Sequence, residues 1–305
     1  MGLENENPLF DALAQASNGP SAAMPGDGPT SYLARGAGNW YVRGSWDADT
    51  AWSVFQCSRQ LVDDHQHSNA GNWVLTRGAD DLVVDPSPYG SLSTLTGNAP
   101  AVDSVVLPSG YSPSQGYWGE RTALVWARQS SSGVAAGRCD YADQFRRSDV
   151  PSDVSHALRD FVLVPRGSGA SVVLVDRVVT AAADRGLHLR VRTPSALTLN
   201  GEVATATLGA SALAIRKIWS SSGSPNVRDM PRASECPSSS HTCDISRLPA
   251  GTEYRLDVAG PSASAIHVVD AQGSATTAPG VLLAGAGYRG VLVGEGNTAV
   301  AVLLS

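Results

Sequence analysis

The chain is poor in charged residues and has no long apolar run, and these absences exclude several classes of protein. Asp, Glu, Lys and Arg make up 16% of its 305 residues, and the net charge is −6. There is no basic run of the kind that binds nucleic acid. No apolar stretch approaches the ~20 residues that span a bilayer. Nucleotide-binding glycine motifs and a Gly-x-Ser-x-Gly nucleophile elbow are also missing. We therefore expect no nucleic-acid partner, no membrane span and no nucleotide chemistry.

The first thirty residues are predicted to be a tail or linker. Residues 1–7 carry two glutamates and no apolar core, so no secretory signal is visible in this chain. Residues 8–14 have the composition of one short helix, and residues 19–30 are rich in glycine and proline. The predicted organisation is a tail over residues 1–30 and one domain over residues 31–305.

Short apolar or alternating runs separated by Gly, Pro, Asn or Ser fill the rest of the chain, and no helical periodicity of useful length follows residue 31. Such runs predict an all-β fold with antiparallel sheets packed face to face. Residues 77–80, Arg-Gly-Ala-Asp, are predicted to form a hairpin turn. The predicted strands are 39–43, 51–57, 72–77, 81–85, 101–107, 122–128, 159–164, 171–179, 187–193, 204–208, 212–219, 253–258, 265–270, 281–284, 288–293 and 298–304.

Four cysteines permit two disulfides. Cys236 and Cys243 bracket a short serine-rich loop, so we expect them to form a disulfide, which implies an exported protein. A metal site made of Cys236, His241 and Cys243 is the alternative, but it lacks a fourth ligand at a familiar spacing. Cys57 ends an apolar run and is expected to be a small buried hydrophobic residue.

The most informative stretch is Asp-His-Gln-His at residues 64–67, followed by an apolar run that ends in Asp85. Alternate residues of an extended segment share a face, so His65 and His67 can belong to one site. Imidazole and carboxylate groups are common zinc ligands, and imidazole is also a general acid or base near neutral pH. The alternative is two polar residues on the solvated face of a strand.

The hairpin at residues 77–80 has a consequence for this stretch. If that turn is tight, Asp85 pairs near Asn72, well short of His67 along the strand. The Ser-Asn-Ala-Gly segment at residues 68–71 then has to reverse direction to bring His67 alongside Asp85. Asn and Gly are residues that permit such a reversal.

Several motifs, taken in order, resemble the C-terminal part of heparinase II/III-type polysaccharide lyases. The histidine run with its aspartate is the most specific of them, and the resemblance covers about residues 31–305. The other motifs are Tyr-Leu-Ala-Arg-Gly-Ala-Gly at 32–38, Arg-Gly-Ser-Trp at 43–46, Leu-Val-Val-Asp-Pro at 82–86, and the runs 159–162, 173–178, 187–190, 266–270 and 290–293.

This resemblance implies an extended β-sandwich, or supersandwich, that normally follows an α/α-toroid. It also implies β-elimination on a uronate-containing polysaccharide, with His65 as the catalytic residue of the sandwich. Zinc is the implied cofactor, and its implied ligands are His67, Asp85 and, by a looser match, His156.

Two substrate-binding candidates accompany these residues. Family members commonly show His-Asn-Thr after the aspartate strand. Here Gly97 replaces the histidine and Asn98 is retained, so Asn98 is the matching candidate. Local arginines are expected to form a cationic groove, and Arg35 is our candidate among them. The others are Arg43, Arg121 and Arg159.

The toroid, which supplies the catalytic tyrosine in the family, has no counterpart in this sequence. We therefore expect the chain to be inactive alone, with an acidic polysaccharide and a separate toroid domain or chain as partners. An extracytoplasmic location follows from the predicted Cys236–Cys243 bridge and from the family's usual substrates. The alternatives are a non-catalytic, metal-stabilised carbohydrate-binding or structural module, and a stand-alone enzyme that pairs His65 with Tyr89 or Tyr117.

Overall fold

The structure is a computed structural model that describes residues 28–59, 66–85, 94–107, 113–116, 119–147, 149–181, 185–230, 249–294 and 299–304. Within these ranges the chain forms antiparallel strands and short 3-10 turns with no α-helix, which confirms the all-β prediction. None of the described helical turns is long and apolar enough to cross a membrane. His65, the predicted helix at 8–14, Cys236, Cys243, Tyr89 and Tyr117 lie outside the described residues.

Twenty strands are present in the described part of the chain. In chain order they are β1 Ser31–Ala34, β2 Asn39–Arg43, β3 Ala51–Gln56, β4 Trp73–Arg77, β5 Asp80–Val83, β6 Ala101–Val102, β7 Ala123–Gln129, β8 Ala135–Asp140, β9 Val154–Arg166, β10 Gly169–Thr180, β11 Gly186–Thr193, β12 Thr198–Asn200, β13 Val203–Leu208, β14 Ser211–Ser220, β15 Asn226–Met230, β16 Gly251–Ala259, β17 Ser262–Gln272, β18 Val281–Gly285, β19 Tyr288–Val293 and β20 Val300–Leu304.

The strands form four sheets. A five-stranded sheet follows chain order from β1 to β5, and an eight-stranded sheet has the order β12-β13-β14-β17-β10-β9-β8-β7. A four-stranded sheet has the order β15-β16-β11-β6, and β18, β19 and β20 form a three-stranded sheet. The turn between β4 and β5 pairs Arg77 with Asp80, and Gly78 has a φ of 57°, a left-handed conformation that suits glycine. The predicted hairpin at residues 77–80 is therefore confirmed.

Phe161 on β9 marks where the five-stranded sheet packs on the eight-stranded sheet. Its ring stacks on Phe55 with a centroid separation of 4.9 Å, and Trp40 and Trp73 lie around it at 6.5 and 6.2 Å. The next residue, Val162, belongs to a second apolar cluster on the other face of the eight-stranded sheet, together with residues of the three-stranded sheet. The central strands are thus buried on both faces, which explains their nearly continuous apolar sequence.

A disulfide joins Cys57, at the end of β3, to Cys139 on β8, with 5.5 Å between the Cα atoms. Both residues are buried. The predicted burial of Cys57 is confirmed, but its disulfide bond to Cys139 was not predicted. The two cysteines are separated by 82 residues and meet because two different sheets pack together. A local sequence pattern therefore cannot predict this bond.

Strand prediction missed four strands, three of which consist mostly of small or polar residues. The predictions omitted β1, β8, β12 and β15, of which β8 reads Ala-Ala-Gly-Arg-Cys-Asp. The run predicted at 101–107 forms a strand only over β6. Packing between neighbouring strands stabilises β8 in spite of its weak intrinsic β-propensity.

Candidate functional site

Asn72 and Asp85 meet at one end of the five-stranded sheet. The buried Asn72 side chain donates from Nδ2 to Asp85 Oδ2 at 2.6 Å and to Gln56 Oε1 at 2.7 Å. Asp85 therefore lies beside Asn72, as the tight turn between β4 and β5 led us to expect. This arrangement places the Asp85 carboxylate just beyond the end of β5 with one oxygen already hydrogen-bonded.

The chain reverses direction between His67 and β4, as the sequence required. The Asn72 amide donates to the Asn69 carbonyl at 2.9 Å, and Gly71 has a φ of 82°. The half-buried His67 then lies within electrostatic range of Asp85: burial lowers the pKa of His67, and the Asp85 charge opposes that effect. The structure thus brings together two of the predicted site residues.

Asn98 lies beside Asn72 and is completely buried. Its Nδ2 donates to the carbonyls of Trp73 and Val84 at 2.9 and 2.8 Å, and its Oδ1 accepts from the Arg192 amide at 2.8 Å. Its own amide donates to Asn72 Oδ1 at 2.8 Å. All of these bonds are internal, so Asn98 fixes the positions of Asn72 and the end of β4 and presents no surface to a ligand.

Arg159 is a second buried residue that stabilises the site. The sequence predicted that Arg159 is part of a cationic groove. Its side chain is 1% exposed, so that prediction is wrong. Its Nη1 donates to the carbonyls of Gly71 and Asn98 at 2.8 and 2.9 Å, while Nε and Nη2 bind Asp176. The cation ties the reversal at Gly71 to the segment that carries Asn98.

His156 does not join His67 and Asp85. It is exposed on β9 opposite Val179, and the described ranges contain no group of three or more His, Cys, Asp or Glu side chains that could hold a metal ion. Zinc sites in proteins use three or four protein ligands. The described residues therefore supply two of the ligands implied by the resemblance, which is too few for a zinc site on their own.

Gly97 packs closely against the hydrogen-bonded Asn72 and Asp85 side chains. A Cβ atom added at Gly97 would lie 3.2 Å from Asp85 Oδ1 and 3.2 Å from Asn72 Oδ1, closer than an ordinary van der Waals contact. A larger residue at position 97 would therefore crowd these two side chains, and the glycine leaves their hydrogen bond undisturbed.

A cavity of about 280 Å³, which we call the site cavity, lies at the same end of the sheet and is lined by the exposed Arg35 and Arg59. Cys57, Leu33 and Leu124 form part of its wall. Two arginines that line one cavity suit a carboxylate or sulfate ligand. Arg35, the predicted substrate-binding residue, is one of them, and its role stays a prediction. Arg59 was missed because a lone arginine in Cys-Ser-Arg-Gln carries no distinguishing pattern.

Arg59, which lines the site cavity, is in contact with Gln66, the residue that follows His65 in the sequence. Gln66 donates from Nε2 to the carbonyl of Arg59 at 2.7 Å, so the two described ends on either side of residues 60–65 are in direct contact. His65 is covalently joined to Gln66. Of the other arginines, Arg121 is paired with Asp143 at 2.8 Å.

The fold is similar to that of solved heparinase III structures. One, described as a heparinase III gene product with methylated lysines, gives a TM-score of 0.65 at 11% identity, over 98% of this chain and 45% of its own. Another heparinase III gives 0.61 at 8% identity, over 90% and 42%. Heparan sulfate lyase HepC from Pedobacter heparinus gives 0.60 at 11% identity, over 98% and 45%.

These similarities establish the fold and the part of the enzymes that it matches. The matched region is the C-terminal part of the heparinase III chains, which confirms the resemblance seen in the sequence. The chain spans less than half the length of these solved structures. No protein-family model matches the sequence, and no curated protein matches it.

Proposed function

We propose that this chain is the β-sandwich portion of a polysaccharide lyase that cleaves a uronate-containing polysaccharide by β-elimination. The observation that carries the proposal is the site cavity, in which Arg35 and Arg59 lie on one concave surface beside Gln66. The fold similarity to heparan sulfate lyase supports it, because that enzyme is named for an acidic polysaccharide.

The proposed reaction needs three groups. A cation must neutralise the C6 carboxylate so that the C5 proton becomes acidic, a base must remove that proton, and an acid must protonate the departing O4. Arg35 and Arg59 are assigned to the carboxylate. His65, which directly precedes Gln66, is assigned as the base that removes the C5 proton, since imidazole can accept a proton near neutral pH. The acid that protonates O4 is assigned to the tyrosine of the toroid partner.

The buried residues of the site have a positioning role in this proposal. Asn98 and Arg159 hold Asn72 and the Gly71 reversal, and Asn72 in turn holds Asp85. None of the three has to touch the substrate. They fix the backbone of the segment that precedes β4. A rigid scaffold of this kind can position reactive side chains within a fraction of an ångström.

Zinc binding by His67 and Asp85 stays a prediction, and no step of the proposed reaction depends on it. Metal analysis of the purified chain tests it. About one zinc per chain, lost in His67→Ala and kept in His156→Ala, would support a site without His156. Loss in both variants would make His156 a ligand, and a metal-free, well-folded protein would remove zinc from the proposal.

We also propose an extracytoplasmic location. The buried Cys57–Cys139 disulfide supports it, because disulfides persist in oxidising compartments and are rare in the cytosol. This support is independent of the predicted Cys236–Cys243 bridge, which falls outside the described residues. Mass analysis of the protein from cytosolic and exported fractions, with and without a thiol-blocking reagent, tests the proposal through the oxidation state of Cys57.

The activity test measures the ultraviolet absorbance of the unsaturated uronate product. Wild type, His65→Ala, Arg35→Gln, Arg59→Gln and the control Arg128→Gln are each assayed alone and with an added heparinase III toroid domain. Arg128 is exposed on β7 outside the site cavity. No protein should form product alone. With the toroid domain we expect product from wild type and Arg128→Gln, none from His65→Ala, and at least a tenfold loss in each of the other two variants.

The same assay separates this function from its alternative. The chain is a carbohydrate-binding module if it binds the acidic polysaccharide but yields no product, alone or with the toroid domain. This conclusion requires that a complex between sandwich and toroid has been demonstrated. Product that survives His65→Ala would overturn the assignment of the base. Product that survives both arginine substitutions would overturn the role of the site cavity.

A further inference from the structure

A second cavity, of about 480 Å³, opens on the outer face of the five-stranded sheet, and we call it the aromatic cavity. Two tyrosines, two tryptophans and one arginine line it: Tyr32, Tyr41, Trp46, Trp52 and Arg43. The opposite face of the same sheet is buried against the eight-stranded sheet, so these rings contribute nothing to the main core. The volume is in the range of small-ligand pockets.

The two tyrosines form one wall of the aromatic cavity. Tyr32 on β1 lies directly opposite Tyr41 on β2, and their ring centroids are 6.3 Å apart with 33° between the planes. Tyr32 is 68% exposed and Tyr41 is 41% exposed. Leaving two large rings in contact with water forgoes the free energy that their burial would give, and neighbouring exposed rings commonly mark a binding surface.

The tryptophan side of the aromatic cavity is fixed in place. Trp46 donates from Nε1 to the Gly28 carbonyl at 2.9 Å, and the Arg43 guanidinium lies 4.3 Å from the centre of the Trp46 ring. Trp52 on β3 lies opposite Arg43 in the register of the sheet. The cavity thus combines rigid aromatic surfaces with one cation.

This chemistry suits a saccharide that carries an anionic group. The C–H faces of pyranose rings pack on aromatic side chains, which offer large apolar faces at a low cost in conformational entropy. A guanidinium supplies charge-assisted hydrogen bonds to a carboxylate or sulfate.

The two cavities lie on opposite faces of β1, which is the edge strand of its sheet, so a polymer that passes around this edge can occupy both. Tyr32 lines the aromatic cavity, Leu33 lines the site cavity, and Arg35 follows two residues later. Three residues of extended chain span at most about 10 Å. A polymer of several sugar units bound at Tyr32 therefore reaches Arg35 without a change in the fold.

We propose that the aromatic cavity is an auxiliary binding site for an acidic polysaccharide, which holds sugar units next to those in the site cavity. The inference rests on the proposed function for the identity of the polymer. Its own observations are the aromatic wall, the Arg43 cation and the shared strand β1. Binding energy gained at such a remote site keeps a long polymer in place while one bond is cleaved.

The test is isothermal titration of the full chain with a uronate-containing hexasaccharide. Tyr32→Ala/Tyr41→Ala is compared with Tyr288→Ala, which removes from β19 a tyrosine about as exposed as Tyr41. We expect at least tenfold weaker binding for the double variant, an unchanged thermal unfolding midpoint, and wild-type affinity for Tyr288→Ala. Equal affinity in all three proteins would overturn the proposal.

The role of Arg43 is tested with a neutral hexasaccharide alongside the acidic one. Arg43→Gln should weaken binding of the acidic ligand at least fivefold and leave the neutral ligand unaffected, and Arg43→Lys should restore part of the loss. An equal effect on both ligands would overturn the role of the cation. A loss of the acidic ligand in Arg128→Gln as well would show a general charge effect.

The outcomes distinguish this inference from the proposed function. If no product forms in any assay but the tyrosine variant still loses the hexasaccharide, the aromatic cavity is a binding site on a non-catalytic module. If product forms while the tyrosine variant keeps wild-type affinity and KM, the inference is overturned and the lyase assignment stands.

Discussion

Arg159 and Asp176 form an ion pair in the interior of the sandwich, with 2.7 Å between Nε and Oδ1 and side chains that are 1% and 0% exposed. Burial raises the pKa of Asp176, and the Arg159 charge and hydrogen bonds oppose that rise. The same guanidinium binds the carbonyls of Gly71 and Asn98. The pair therefore connects the packing of β9 and β10 to the geometry of the candidate site.

Substituting Arg159→Met should lower the free energy of unfolding by about 3–5 kcal/mol, because it leaves the Asp176 carboxylate buried without a partner. Urea titration measures the change. The control is Arg147→Gln, which breaks the largely exposed pair with Asp149 and should cost at most about 1 kcal/mol. If both variants lose a similar free energy of unfolding, burial does not explain the cost of breaking the Arg159–Asp176 pair.

Removing the disulfide with Cys57→Ser/Cys139→Ser should lower the free energy of unfolding by about 2–5 kcal/mol, because the bond closes a long loop and restricts the unfolded chain. Thermal and urea unfolding measure the loss. Thiol reductant should lower the stability of the wild type toward that of the double variant. If, in the absence of reductant, the wild type and the double variant have the same free energy of unfolding, the bond is absent.

His188 should make the protein less stable as the pH rises above neutrality. Burial opposes its protonation, but hydrogen bonds to Asp103 at 3.0 Å and Asp257 at 2.7 Å raise its pKa above the ordinary 6.5. Above pH 6.5 only the folded state retains the proton, so stability is lost as the pH rises through the raised pKa. Urea titrations from about pH 6 to about pH 9 measure this slope.

His188→Gln is the variant that isolates this effect. The other charged groups facing His188 are Arg255, whose guanidinium lies 3.4 Å from its Nδ1, and Arg190, whose charge opposes its protonation. Because both arginines stay charged over this range, the slope above pH 6.5 should disappear in the variant. A slope that persists unchanged would assign it to other groups.

His267 should produce the opposite dependence at acidic pH. Burial lowers its pKa to about 3, and the charges of Arg159 and Lys217 add to the effect. Its Nε2 lies 3.1 Å from the Tyr254 hydroxyl oxygen, so the ring is neutral and hydrogen-bonded in the folded state. Between about pH 3 and pH 6.5 only the unfolded state binds the proton, so stability falls as the pH falls.

His267→Gln should flatten this acid limb by up to about 1 kcal/mol per pH unit. Urea titrations of wild type and variant at several acidic pH values measure the difference between the two slopes. An acid limb that is identical in His267→Gln would contradict a buried neutral histidine.

The sequence by itself determined the strands and the local turns. Alternation of apolar and polar residues placed most strands within a few residues of their observed bounds, because burial of one face imposes a period of two. The turn at Gly78 and the reversal at Gly71 followed from residues that tolerate a left-handed backbone. Together these local rules placed Asp85 beside Asn72 before any tertiary contact was known.

Only the tertiary structure decided which distant residues meet. The Cys57–Cys139 bond, the burial of Arg159 and the shared surface of Arg35 and Arg59 all join segments from different strands or sheets. Local sequence carries no record of such contacts, because they depend on how whole sheets pack and on the summed desolvation of groups far apart in the chain. For the same reason the resemblance implied His156 as a metal ligand, whereas the structure places this side chain on the exposed face of β9, opposite Val179.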